Sequence, residues 1–231
     1  MERAGALGAW CTCAVELVAI ALQEWAYLQV GRNRPDLLAA NPANLAASWA
    51  FAFANLGLSC VVLSAAAMVV KRFPLAACTG ALLLLASHVA LDIDYLGMTT
   101  AGSEWMNRAL GHEDASLKNT VIGDDVTQMC LLFVVDWLQV LGSALLGALF
   151  WHMNRGGRRA ACAFFGFSVW AFLDLLCNVI MPLDIQPVSE LVFCGLSIAL
   201  CVTVALWLTE RARERTCRGN GVAAWKKAAV S

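Results

Sequence analysis

Charged residues are scarce in this chain. Asp, Glu, Lys and Arg make up 14% of its 231 residues, whereas a soluble domain carries about 25%. Hydrophobic residues make up 60%, and a charge deficit sustained over this length excludes an ordinary soluble core. There is no basic patch with interleaved aromatic residues and no glycine-rich phosphate loop, so the sequence predicts no nucleic-acid partner.

Histidine is also rare, with His88, His112 and His152 as the three copies in the chain. They form neither a His-x-x-x-His nor a His-Glu-x-x-His pair, so the sequence lacks a zinc-hydrolase motif. Two histidines at matched depth, as a haem would need, are missing as well. We therefore expect no metal site and no cofactor, and catalysis by a membrane-embedded enzyme is the least favoured function.

Cysteine is plentiful, with ten copies, but its positions do not indicate a disulfide framework. Seven of the ten lie inside apolar runs, where free cysteine packs as a small hydrophobic residue. The other three, Cys11, Cys13 and Cys217, lie nearer the two ends of the chain, where palmitoylation is an alternative to packing.

Six apolar runs are long enough to cross a bilayer, which takes roughly 20 helical residues. These runs lie at 7–30, 45–70, 74–98, 126–152, 160–182 and 187–209. Pro182 and Pro187 separate the last two runs by a tight turn, since proline ends one helix and permits the next to start. The sequence predicts an all-α, polytopic integral membrane protein in which residues 1–209 form one six-helix transmembrane domain. Residues 210–231 are predicted to form a basic cytoplasmic tail.

Basic residues are sorted between the two sides of the predicted spans. Twelve of the 16 Lys and Arg residues flank the spans on the side that carries both termini, and four lie on the other side. By the positive-inside rule, both termini are cytoplasmic and the loop at about 99–125 lies outside. We expect the lipid bilayer of a plasma membrane or of an organelle as the first partner.

Acidic side chains inside the spans need a physical reason, because each costs roughly 2.5–3.5 kcal/mol to insert. Counted at about 1.5 Å per residue, five polar groups from four helices fall in the outer half of the bilayer. The spacings place His88 and Asp92 on one helix face, and Asp174 and Asn178 on another. The predicted pocket residues are Glu24, His88, Asp92, Asp136, Asp174 and Asn178.

No Lys or Arg lies at the depth of these acids, so they are protonated, bind a cation or line a water-filled cavity. A pocket would make the chain a small proton- or cation-linked transporter with a small cationic or polar ligand. Protonated acids that only hydrogen-bond between helices would instead fit a non-catalytic scaffold, sensor or assembly subunit. A homo-oligomer would compensate for the small number of helices.

Overall fold

The described part of the chain is made of long helices. The computed structural model describes residues 2–31, 37–38, 41–97, 115–177 and 186–228, with side chains at 2–31, 37–38, 41–92, 133–177 and 191–215. The long helices are α1 (Glu2–Val30), α2 (Pro42–Val69), α3 (Pro74–Gly97), α4 (Ala115–Trp151), α5 (Arg155–Leu175) and α6 (Gln186–Ala228). The described residues contain no strand, which confirms the all-helical prediction.

Five of these helices are long and apolar enough to cross a membrane. The stretches are Glu2–Val30, Pro42–Val69, Pro74–Asp92, Phe133–Trp151 and Leu191–Arg215. Helix α5 differs because it starts with three arginines and carries Asp174 near its end, which leaves 14 uncharged residues between Arg159 and Asp174. The rest of the predicted span 160–182 extends past Cys177, outside the described residues.

Two helices extend beyond the predicted spans. Helix α4 begins at Ala115, inside the predicted loop 99–125, and α6 continues to Ala228 through most of the predicted tail. Acidic and basic residues alternate at helical spacing after Thr209, and such pairs support a helix outside the apolar region.

Local signals fix where the helices begin and end. Asn41 caps α2, because its side-chain oxygen accepts from the backbone N–H of Ala43 at 2.8 Å, and Pro42 follows at the first helical position. Asn154 caps α5 in the same way through the N–H of Gly157 at 3.1 Å. Gly31 ends α1 with a φ of +89°, a conformation that glycine adopts without strain.

The helices form a closed ring. Each helix packs against the next one in the chain, and α6 returns to pack against α1. Short turns at 70–73 and 152–154 make the joined helices antiparallel neighbours. Helix α2 also touches α4 and α6 across the ring. The order of helices around the ring is therefore their order in the sequence.

One end of the bundle, which we call the basal end, holds the start of α1, the turns 70–73 and 152–154, and residues 207–215 of α6. Trp207 donates from Nε1 to the Oδ1 of Asn154 at 3.0 Å, which ties α6 to the start of α5. The Phe150 ring lies 5.6 Å from that of Phe164 and 5.1 Å from that of Trp207. The main apolar core, with residues from all six helices, lies in this half of the bundle.

Small residues let α3 and α4 approach closely. A Cβ added to Gly142 would lie 2.8 Å from Leu84 Cγ and 3.1 Å from the Gly80 carbonyl oxygen. Such separations are shorter than van der Waals contact, so this crossing requires glycine. Close packing of small residues is the usual source of helix association in lipid, where no hydrophobic force acts between helices.

Replacing Gly142 with alanine tests this crossing. We expect Gly142→Ala to lower the free energy of unfolding by about 1–3 kcal/mol, because the added methyl group overpacks the α3/α4 interface. Thermal or dodecyl-sulfate unfolding of the purified protein in detergent measures the change.

Gly195 in α6 provides the matched control, because a Cβ there meets no atom within 4 Å. Gly195→Ala should leave stability unchanged or raise it by up to about 1 kcal/mol through helix propensity. Equal stability of the two variants would contradict the close crossing.

Candidate functional site

Polar side chains bridge α2 and α3 in two layers, one helical turn apart. Asn55 Nδ2 donates to Asp92 Oδ1 at 3.2 Å, and Ser59 Oγ lies 3.0 Å from His88 Nδ1. The two polar residues on each helix are four positions apart, so the two pairs lie one above the other along the interface. His88 is 1% exposed, and Asn55 and Ser59 are buried. We call these four residues the α2/α3 ladder.

Two acidic residues lie at the interface between α4 and α5. The carboxyl groups of Asp136 in α4 and Asp174 in α5 are close enough to repel each other when both are ionised. Next to them, Ser168 Oγ donates to the Val140 carbonyl oxygen at 2.9 Å and joins the same two helices. We call Asp136 and Asp174 the acid pair.

A third polar contact lies between α1 and α6. Glu16 is 4% exposed, and its carboxyl group is hydrogen-bonded to Ser197. The thiols of Cys13 and Cys201 meet one turn nearer the basal end. Glu16 Oε2 is buried and has no hydrogen-bond partner among the described residues. This carboxyl group is therefore only partly satisfied by the helices around it.

The structure brings four of the six predicted pocket residues together as two pairs. His88 and Asp92 lie in the α2/α3 ladder, and Asp136 and Asp174 form the acid pair. Glu24 lies partly buried in α1, and Asn178 falls outside the described residues. The single outer pocket stays a prediction.

The sequence predicts no metal site, and it predicts palmitoylation as an alternative to packing at Cys11, Cys13 and Cys217. Among the described side chains, no three His, Cys, Asp or Glu residues lie close enough to hold a metal ion. Cys11 is exposed, and Cys13 is buried against α6. The side chain of Cys217 lies outside the described set, and palmitoylation stays a prediction.

Sequence reasoning missed the partners of the predicted residues. Asn55 and Ser59 share the four-residue spacing of His88 and Asp92, so this matched spacing is the signal that could have revealed the ladder. Ser197 gave no comparable signal, because a lone serine in an apolar helix usually bonds to its own backbone.

The chain matches no protein-family model, no curated protein and no solved structure. Its site is therefore interpreted from its own residues.

A double-mutant cycle tests the α2/α3 ladder. We expect Asn55→Ala and Asp92→Ala to couple by about 0.6–1.7 kcal/mol, the range measured for hydrogen bonds between membrane helices. The free energy of unfolding of the two single variants and the double variant, measured in detergent, gives the coupling.

The control cycle combines Asn55→Ala with Ser168→Ala, two residues that bond to different helix pairs. These changes should add to within about 0.5 kcal/mol. A ladder cycle as additive as the control would show that the bond contributes nothing to stability.

Proposed function

We propose that the chain is a six-span membrane protein with both termini in the cytoplasm, and that it acts as a small proton- or cation-linked transporter. The six-span topology is supported by α5, which packs between α4 and α6 in the same ring as the five longer apolar helices. Three arginines at its basal end would lie at the membrane interface, so its apolar part alone would enter the hydrocarbon.

The orientation is supported by the sorting of basic residues. Every Lys and Arg whose side chain is described lies at the basal end: Arg3, Lys71, Arg72, Arg155, Arg158, Arg159, Arg211, Arg213 and Arg215. A one-sided basic rim of this kind marks the cytoplasmic face. Both termini are then on the cytoplasmic side, because α1 begins at the basal end and the membrane-crossing part of α6 ends there.

The acid pair is the observation that supports transport. Two neighbouring ionised carboxylates in an apolar bundle repel each other, so a proton or a cation bound at the pair would stabilise it. No Lys or Arg occurs in the apolar stretches 133–151 and 160–175 to neutralise it. A site that must bind a small positive charge, and that can release it, is the minimum requirement of a proton- or cation-linked transporter.

The α2/α3 ladder favours the second candidate, a non-catalytic scaffold or assembly subunit. Its four side chains satisfy one another in pairs, as expected for polar residues that only hold helices together. The acid pair distinguishes the two candidate functions. A transporter needs Asp136 or Asp174 to change its charge, whereas a scaffold does not.

Ion flux in reconstituted vesicles tests the transport proposal. Purified protein is placed in vesicles with a trapped pH-sensitive dye, and gradients of protons, Na⁺ or K⁺ are imposed in turn. We expect protein-dependent flux in the wild type and background flux in Asp136→Asn and Asp174→Asn, because the amide neither binds a proton nor attracts a cation.

Glu214→Gln is the matched control, since Glu214 is an exposed acid near the basal end of α6. This variant should keep the wild-type flux, and each variant should remain monodisperse in detergent. Background flux from the wild type under every gradient, or full flux from the Asp136→Asn, Asp174→Asn double variant, would favour the scaffold.

The proposed topology has its own test. A fluorescent protein fused after Ser231 should fluoresce in intact cells, and an epitope inserted near residue 110 should bind antibody without permeabilisation. Antibody binding at residue 110 only after permeabilisation would reverse the orientation.

A further inference from the structure

A groove lies at the basal end on the surface between α1 and α2. It has a volume of about 460 Å³, within the range of about 300–1,000 Å³ that small-ligand sites occupy. Small residues line its walls, among them Gly8, Cys60, Ser64 and Ala67, and the buried side chains of Val61 and Leu208 form its floor.

The groove runs from an apolar end to a charged end. Cys60 in α2 and Lys71 in the turn after it both line the groove, and the nine helical steps from Cys60 to Val69 correspond to roughly 13 Å. Glu2, Lys71 and Arg215 line the charged end. A phospholipid in the adjacent leaflet has the same orientation as the groove, with its charged headgroup at the interface and its acyl chains pointing to the bilayer centre.

The charged end holds two cations and one carboxylate. Arg215 Nη2 lies 3.2 Å from Glu2 Oε1, yet this oxygen is buried and accepts no hydrogen bond from the described residues. Glu2 itself is 8% exposed. The Lys71 side chain is exposed and makes no ion pair with the described residues. The groove therefore offers an exposed cation, Lys71, beside a carboxylate that is engaged by one ion pair.

We propose that this groove binds one phospholipid whose headgroup carries a primary ammonium group. Lys71 and Arg215 hold the phosphodiester, the ammonium donates to the Glu2 carboxylate, and one acyl chain lies along the small residues toward Cys60. The charges are complementary, since two cations face the phosphate and the carboxylate faces the ammonium. The site is separate from the acid pair and does not depend on transport.

Headgroup chemistry gives an expected order of binding. A primary ammonium, as in phosphatidylethanolamine or phosphatidylserine, makes a charge-assisted bond to Glu2. The glycerol hydroxyl of phosphatidylglycerol can donate to the same carboxylate, but it carries no positive charge and therefore makes a weaker bond than the ammonium does. The quaternary ammonium of phosphatidylcholine has no N–H group to donate. We expect the two aminophospholipids to bind best and phosphatidylcholine to bind worst.

Competition between lipids tests the proposal. The full chain is delipidated in detergent, incubated with equal amounts of the four phospholipids with identical acyl chains, and analysed by native mass spectrometry. Lys71→Gln should reduce retention of all four lipids about fivefold, the effect of one basic residue at a lipid headgroup. Glu2→Gln should abolish the preference for aminophospholipids over phosphatidylglycerol.

Two control variants match these changes. Arg72→Gln removes a neighbouring cation that lies 5.2 Å from the centre of the Phe73 ring and does not line the groove. Gly8→Leu fills the groove, because a Cβ at Gly8 meets open space, whereas Gly195→Leu adds the same bulk outside the groove. Arg72→Gln and Gly195→Leu should retain lipid as the wild type does, and Gly8→Leu should lose it.

Several results would overturn the proposal. Equal retention of all four headgroups, or retention of phosphatidylglycerol above both aminophospholipids, would remove the role of Glu2. Unchanged binding in Gly8→Leu would place the lipid elsewhere. If Gly8→Leu does not fold, the comparison of Lys71→Gln with Arg72→Gln decides, because each changes only an exposed charge. Equal lipid retention by these two variants would contradict the site.

Discussion

Hydrocarbon offers no hydrogen-bond partner, so a polar side chain inside the bundle must find its partner on another helix or in its own backbone. This constraint explains where the helices of this chain are joined. The ladder joins α2 to α3, Ser168 joins α5 to α4 at the interface that also holds the acid pair, and Glu16 with Ser197 joins α1 to α6. The last of these contacts lies where the ring closes, between the first helix and the last.

The three polar contacts differ in how completely they are satisfied. Each side chain of the ladder has a hydrogen-bond partner within it. The ladder therefore has the character of a structural contact that holds α2 and α3 together. The acid pair brings two carboxyl groups within range of mutual repulsion with no basic residue in either apolar stretch, and this is why we propose that it takes up a proton or a cation. This difference in charge, and not in depth, separates the proposed transport site from the helix contacts.

The apolar runs were predictable from the sequence, because hydrophobic length acts locally. The axial position of each residue within its helix was also predictable, since the rise per residue is fixed. Rotation about the helix axis was not, because it depends on which faces pack. His88, Asp92, Asp136 and Asp174 have similar predicted depths, yet packing directs two toward α2 and pairs the other two. Helix α5 was predicted to be a span over 160–182, and it stays a prediction because the described residues cover only part of that range.

The protonation of the acid pair tests the central claim most directly. Infrared difference spectra of the protein in detergent, wild type minus Asp136→Asn and wild type minus Asp174→Asn, report the carboxylic-acid C=O stretch of these two groups. The account predicts a protonated-carboxyl band from this pair at neutral pH, which disappears when the pH is raised or when the transported cation binds. Two ionised carboxylates at every pH, with no response to Na⁺ or K⁺, would contradict the account.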